Sequence, residues 1–423
     1  MEYRRRVVDD ELDALLPSLA AISLEGAKGV GKTATATGRV RTVLALNDPR
    51  QRQVVAADPG LIGRAEPPVL LDEWQLEPTV WDQVRTLVDA DPSGGRFLLT
   101  GSAGPTREAR IHSGAGRIVR LVMRPLALSE RGLVPPTVSL AGLLTGARPT
   151  VTGDSPIDLA TYTDEILRSG FPGIRPLPPR PRRIQLDSYL ARALDHDMEE
   201  NGIRVRKPAA LRAWLTAYAA ATATTAAYNV ILDAATPGDG DKPTRQTVAV
   251  YRESLERLFL LDPLPAWVPS LSPLKRLTAS PKHHLVDPAL AARLIGVDAS
   301  ALLRGAGDRL APNDGPLLGA LFESLAVQTV RVLAQAAEAR VHHLRTKSGD
   351  HEIDIVIEGP DRRIVAAEVK LNPVVTDDDT TQLRWLHNTI GERAADLIVL
   401  TTGPHAYRRP DGIAVIPLTL LGP

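Results

Sequence analysis

Gly26-Ala27-Lys28-Gly29-Val30-Gly31-Lys32-Thr33 is the stretch on which the reading of the chain turns. It fits G-x-x-x-x-G-K-[ST] at every fixed position. The apolar run Leu19–Leu24 leads into it as a strand, and a helix from Thr33 to Leu46 is expected to lead out. Glycines let the backbone curl until successive N–H groups face one anion, and a helix N-terminus adds partial positive charge. In such a loop Lys32 reaches the terminal phosphates and the Thr33 hydroxyl ligates Mg²⁺.

Outward from this loop, residues 1–131 alternate short apolar strands with helix-length stretches. The expected strands are Leu19–Leu24, Gln53–Ala57, Val69–Leu71, Phe97–Thr100 and Ile118–Val122. That alternation predicts a parallel sheet covered on both faces, an α/β fold. Asp72 and Glu73 follow the strand Val69–Leu71, at the end of a parallel sheet where ligands bind. Asp72 is placed to hold Mg²⁺ and Glu73 to polarise a water as general base. Phe97–Thr100 should lie between the two motif strands, with Thr100 or Ser102 sensing a phosphate. Arg117 is a candidate finger for a neighbouring subunit's site, with Arg107 and Arg110 as competitors.

Composition limits the partners. Fifty Lys+Arg against fifty Asp+Glu give zero formal charge, so a nucleic acid would need a local patch. There is no cysteine, which excludes disulfides and thiolate metal sites and fits a cytoplasmic protein. The start, Met1–Arg6, lacks a leader's apolar segment, and no uninterrupted apolar run approaches membrane-spanning length. The pairs His283-His284 and His342-His343 read as structural, because neighbours on a strand face opposite ways.

Residues 132–156, rich in Pro, Gly and Thr, read as a linker or lid, and residues 157–315 as mainly helical. The expected helices are Leu186–Met198, Ala209–Ala227 and Thr244–Leu261, with the Arg175–Arg183 tract as an exposed connector. The last of these has an apolar stripe of Val248, Tyr251, Leu255 and Leu258. Arg245, Gln246, Arg252 and Arg257 lie off it, as a winged-helix unit presenting a helix to DNA would require.

Residues 316–423 change pattern again. A helix Pro316–Ala334, strands Val341–Leu344, Glu352–Glu358 and Arg363–Leu371, a helix Asp379–Asn388 and a strand Asp396–Thr401 are expected. Glu323 sits on an apolar helical stripe with Ala320, Val327 and Val330, where a carboxylate needs a partner or a metal. Glu368 and Lys370 share one strand face. A metal-dependent phosphodiesterase would use Glu323, Asp354 and Glu368 around Mg²⁺, with Glu368 and Lys370 as catalytic groups.

Taken together, the chain resembles a prokaryotic family that joins an AAA-type ATPase domain to a carboxy-terminal domain of unknown function with a restriction-endonuclease-like core. The motifs that carry the resemblance are Tyr3-Arg4-Arg5-Arg6, the phosphate loop, Leu71-Asp72-Glu73, Leu99-Thr100-Gly101-Ser102 and Pro125-Leu126 with Glu130. They continue with Gly170-Phe171-Pro172, Thr247-Val248 with Tyr251, Ser280-Pro281-Lys282, Phe322-Glu323, Arg345 with Glu352-Ile353-Asp354, and Glu368-Val369-Lys370. Ala27-Lys28 stands where the family often has proline–arginine, and Tyr228-Asn229 where a glycine is common. The resemblance implies ATP hydrolysis with Mg²⁺. Two readings of the rest follow. In one, a winged-helix middle and nuclease-like tail act on DNA or RNA. In the other, the tail is a catalytically silent module and the protein an ATP-controlled switch for a protein partner. A homo-oligomer is compatible with both.

Overall fold

The computed structural model describes residues 3–102, 114–200, 207–236, 243–267, 280–306, 309–313, 315–346 and 349–423, with Gly202, Ile203 and Val205 between them. Arg107 and Arg110 lie outside the described residues. Strands β1 (Ala21–Glu25), β2 (Thr42–Ala45), β3 (Val69–Asp72), β4 (Phe97–Gly101) and β5 (Ile118–Val122) form one sheet of order β2-β3-β4-β1-β5. All of its pairings are parallel. Alternate side chains divide between two cores. Ile22, Leu24, Leu70, Leu98 and Leu121 join the core shared with the helix Val7–Leu15. Ala21, Val69, Leu71, Phe97 and Leu99 pack with Trp74, Trp81 and Val84 on the other side.

Two expected elements differ. The helix after the phosphate loop is only Lys32–Thr37, ending at Gly38, and Thr42–Ala45 is a strand. Three β-branched threonines and a glycine shorten it. The expected strand Gln53–Ala57 belongs instead to the helix Pro49–Ala57. Asp48 caps it by accepting from Arg50 N at 2.9 Å, and Pro49 occupies its first position.

The stretch 132–156 is not a free linker. It holds β6 (Val138–Ser139) and β7 (Gly153–Asp154), and Ser155 Oγ lies 2.8 Å from Thr419 Oγ1 in the interior. The helical region that follows contains Leu159–Arg168, Pro179–Arg192, Pro208–Ala220, Tyr228–Ala235, Arg245–Arg257 and Pro288–Ile295. Between Pro179–Arg192 and Met198–Glu200 the chain makes a π-helical turn, Ala193–Asp197. Leu264 and Lys282 form an antiparallel bridge beside these helices. The Arg175–Arg183 tract is not an exposed connector. Arg175 pairs with buried Glu165 at 2.6 Å, and Arg182 is buried in the helix Pro179–Arg192.

A two-stranded ribbon, β8 (Leu303–Ala306) and β9 (Arg309–Pro312), precedes the 22-residue helix Gly315–Ala336. By length and composition alone this helix could cross a membrane, but Glu323, Gln328 and Arg331 interrupt it and 67% of its most apolar window is buried inside the protein. It touches the helices Val7–Leu15, Leu159–Arg168 and Pro288–Ile295 and the tail sheet, so it is the axis on which the parts are assembled.

The tail sheet contains β10 (Arg340–Arg345), β11 (Glu352–Glu358), β12 (Ile364–Lys370), β13 (Ala394–Thr401), β14 (His405–Arg408) and β15 (Ala414–Pro417). Its order is β10-β11-β12-β13-β15-β14-β7, and β16 (Leu421–Gly422) pairs with β6. Strands β10, β11 and β12 run antiparallel. The helix Thr381–Ile390 then returns the chain so that β13 lies parallel to β12.

Candidate functional site

The phosphate loop leaves the C-terminal end of β1 and passes the end of β5. A side chain at Gly26 would put its Cβ 2.1 Å from the Met123 carbonyl oxygen, and Gly31 has φ +103°. Only glycine meets both demands. Arg6, 4% exposed, donates to Val30 O at 3.1 Å and Arg124 O at 2.9 Å, and its Nε lies 3.0 Å from Glu130 Oε1. The arginine-bearing amino-terminal segment therefore braces the loop from below.

Lys32 curls back over the loop and donates to Gly26 O at 2.8 Å and Ala27 O at 2.9 Å. Burial pulls its ammonium down to about 8, against the pull of Glu73 and Asp72. Thr33 Oγ1 donates to Asp72 Oδ1 at 2.7 Å, and Thr100 Oγ1 donates to the same oxygen. The expectation that β4 separates the motif strands is met, and it explains why Thr100 reaches Asp72. Glu73 follows with φ +54°, a left-handed conformation rare outside glycine. Its Oε2 accepts from Gln75 Nε2 and lies 3.4 Å from Ser102 Oγ. The loop and Lys32, Thr33, Asp72, Glu73, Thr100 and Ser102 thus share one end of the sheet. Thr33 and Asp72 supply hard oxygen donors of the kind Mg²⁺ takes.

Arg117 stands apart. It precedes β5, whose first residue pairs with Ala21, whereas the phosphate loop follows Glu25. Four strand residues, about 13 Å, separate the two levels. Arg117 Nε donates to Asp89 Oδ1 at 2.8 Å, so it serves no group in its own subunit's loop.

Two contacts near the loop carried no sequence signal. Glu25, 6% exposed, pairs with Arg120 at 3.2 Å, and burial raises its carboxyl above the usual range. Lys28 Nζ reaches Asp197 Oδ1 at 2.7 Å and Glu200 Oε2 at 3.3 Å in the helical region. Among the described residues, His196, Asp197 and Glu200 are also close enough together to share a cation. Lys28 already provides one.

In the tail, β11 and β12 pair Ile355 with Ala367, a register that sets Asp354 opposite Glu368. Opposed residues share a face. Asp354 Oδ2 accepts from Val369 N at 3.0 Å, and Lys370 Nζ donates to Glu368 Oε2 at 3.0 Å. The helix Gly315–Ala336 brings Glu323 to the same place. The sequence reading missed the cation at the centre. Lys282, 1% exposed, places Nζ 2.8 Å from Glu323 Oε1, 3.0 Å from Glu352 Oε1 and 3.0 Å from Asp354 Oδ1. Ser280-Pro281-Lys282 offers no spacing that announces this. The hints were the place of Ser280-Pro281-Lys282 among the motifs of the resemblance and a surplus of carboxylates over Lys370.

The charges adjust to one another. Burial opposes the Lys282 ammonium, yet Asp354, Glu323 and Glu352 hold it well above the usual lysine value. Burial and then Asp354 push Glu323 up to about 8. Burial and Asp354 likewise raise Glu368 well above the carboxylate range, while Lys282 and the Val369 amide keep Asp354 below it despite burial. Lys282 and Lys370 are thus set among four carboxylates, those of Glu323, Glu352, Asp354 and Glu368.

Comparison with known proteins follows this division. An AAA domain model matches residues 19–131. Models of two domains of unknown function, DUF8612 and DUF4143, match residues 159–301 and 318–421. The uncharacterized proteins Mb2031c of Mycobacterium bovis and Rv2008c of Mycobacterium tuberculosis are each 24% identical over 352 residues, 82% of this chain and 68% of theirs. Among solved structures, the Walker-type ATPase PABY2304 of Pyrococcus abyssi is similar with TM-score 0.37 and 14% identity, over 68% of this chain and 94% of that one. The replication initiator DnaA bound to AMPPCP and single-stranded DNA gives TM-score 0.24 and 14% identity, over 60% and 88%. Scores of this size assign neither an architecture to the whole chain nor an activity. The amino-terminal part matches an AAA domain and carries a phosphate loop at the end of a parallel sheet.

Proposed function

We propose that the protein hydrolyses ATP in the amino-terminal site and uses the nucleotide cycle to switch the helical region and tail toward a protein partner. One observation carries the first half. Thr33, at the start of the helix after the phosphate loop, and Thr100, at the end of β4, both donate to Asp72 at the open end of a parallel sheet. The residues that would hold Mg²⁺ are Thr33 and Asp72. When bound, the ion would neutralise charge on the phosphates. Lys32 leaves the loop carbonyls for the nucleotide, Thr100 and Ser102 sense the terminal phosphate, and Glu73 accepts the proton of the attacking water. The strained backbone at Glu73 fits a carboxylate held for that task. Arg117, exposed at the far end of the sheet, is available only to a neighbouring subunit.

The nucleic-acid reading has less support. On the helix Arg245–Arg257, Arg252 lies over the Tyr228 ring at 4.4 Å and within 3.6 Å of Glu256, and Arg257 donates to Ser254. Arg245 and Gln246 are its exposed polar pair. The tail's helix, three antiparallel strands, helix and parallel strand suit a restriction-endonuclease-like core, but the Lys282 network favours the silent module.

The test is ATP turnover. Glu73→Gln keeps the side-chain shape and removes the base, so nucleotide should bind while hydrolysis drops by roughly 10²–10⁴-fold. Lys32→Ala should abolish binding or turnover. Normal hydrolysis by both variants would sink the assignment.

A further inference from the structure

The tail brings together the carboxylates of a metal site, and a side chain from outside the tail lies among them. We infer that Lys282 is the resident cation of this centre, a covalently supplied replacement for a divalent metal, and that through it the helical region is fastened to the tail. This rests on the silent-module reading and deepens it.

The geometry has three parts. First, the ammonium makes three short contacts, to Glu323, Glu352 and Asp354. The contacts to Glu323 and Asp354 are hydrogen bonds, and the one to Glu352 is an ion pair. Second, its three partners come from two elements, the helix Gly315–Ala336 and β11, and Lys282 from a third. Lys282 N and O both bond Leu264, at 2.9 Å each, which holds the segment in register with the helical region. Third, Lys282 is 1% exposed, so water cannot replace its partners. A divalent ion at these carboxylates would have to displace the ammonium or lie against it, and like charges that close in a dry site repel strongly.

Glu368 completes the picture. Its Oε2 is taken by Lys370, and its Oε1 is buried with no hydrogen-bond partner. A metal would be the obvious partner for that oxygen. A cation at that oxygen would stand close to the Lys370 ammonium already on the same carboxylate, and the two would repel. The centre is therefore balanced by two lysines.

The experiment uses the full-length protein without nucleotide. Free Mn²⁺ is followed by electron paramagnetic resonance during titration, with wild type compared with Asp354→Asn. The expected result is the same weak Mn²⁺ uptake by both, with no stoichiometric site. One Mn²⁺ bound per chain in wild type and lost in Asp354→Asn would overturn the inference. A second arm measures thermal unfolding of Lys282→Met. It should melt below wild type, and added Mn²⁺ should restore part of the loss only in the variant. A variant as stable as wild type would show that the network fastens nothing, which also overturns the inference. If Lys282→Met does not fold, the wild-type titration still decides. ATP turnover enters neither arm, so failure here leaves the ATPase reading intact.

Discussion

Lys28, in the phosphate loop, and Asp197, in the π-helical turn, are 169 positions apart in sequence and 2.7 Å apart in space. The contact ties the site of nucleotide binding to the region that must respond to it. π-Turns are often found at functional sites, where one extra residue re-aims a side chain. Here the turn aims Asp197 at the loop. A nucleotide triphosphate entering the loop would compete with Asp197 and Glu200 for the same ammonium.

Asp197→Asn should therefore raise nucleotide affinity. Lys28 is partly exposed, so the effect is that of a screened ion pair, about 0.2–1 kcal/mol, or roughly 1.5- to 5-fold in Kd. Titration with a fluorescent nucleotide measures it. Lys28→Ala should cancel the effect of Asp197→Asn in a double-mutant cycle. Additive effects in that cycle would refute the competition.

Nucleotide binding should also take up a proton. Free Lys32 is lowered by burial to about 8, and phosphates would return it toward its ordinary value. Between those values, binding charges the lysine. Affinity should fall as pH rises above about 8. Calorimetry at pH 8.5 should then give heats that vary with the ionisation heat of the buffer. Heats independent of the buffer would count against a titrating Lys32.

Acid should destabilise the junction of tail and helical region. His343 Nε2 lies 3.0 Å from Ser280 O, and burial with the nearby Lys282 lowers the ring to about 4, against Glu352. His283 and His284 are lowered too, chiefly by burial. A group whose folded value is depressed contributes stability above its unfolded value, about 6.5, and loses it as pH falls toward the folded one. For His343 alone the loss is roughly 3 kcal/mol once pH is below about 4. Melting temperature should fall between pH 6.5 and 4, less steeply in His343→Gln. An equal slope in the two proteins would assign the acid sensitivity elsewhere.

Much of this was legible in the sequence. The phosphate loop, Asp72-Glu73 and Thr100 announce themselves by spacing from short apolar strands, and the place of β4 between the two motif strands followed from where those motifs must meet. Glu368 and Lys370 were placed on one face by strand period alone. What escaped were contacts made across long separations by side chains with no local signature. Lys282 meets Asp354 from 72 positions away, and Lys28 meets Asp197. Residues 132–156 looked like a linker because β6 and β7 are two residues each, too short for any periodicity to show. The helix Pro49–Ala57 was misjudged because Val54-Val55 outweighed the Asp48-Pro49 start signal.

The most consequential structural group outside the two centres is the buried triad Arg131, Glu165 and Arg175. Arg131 and Glu165 have side chains 0% and 1% exposed and approach to 3.0 Å. Arg175 grips the same carboxylate with both Nη atoms, at 2.6 and 2.7 Å. Arg131 also donates to Leu126 O, just after the ATPase sheet, and to Gln328 on the axial helix, so three parts of the chain meet here. Burial and the charge of Arg175 weaken the Arg131 guanidinium's hold on its proton, and Glu165 offsets both. Glu165→Gln leaves two guanidinium groups facing a neutral amide in a dry site. Breaking a buried pair from one side costs about 3–5 kcal/mol, since the remaining charge keeps its desolvation penalty. Denaturant unfolding should show that loss as a lower midpoint. Arg131→Met with Glu165→Met should be less damaging than Glu165→Gln alone, because it removes charge from both sides of the closest pair. A Glu165→Gln protein within 1 kcal/mol of wild type, a threshold set roughly at the surface-pair range, would mean that the triad does not hold these parts together.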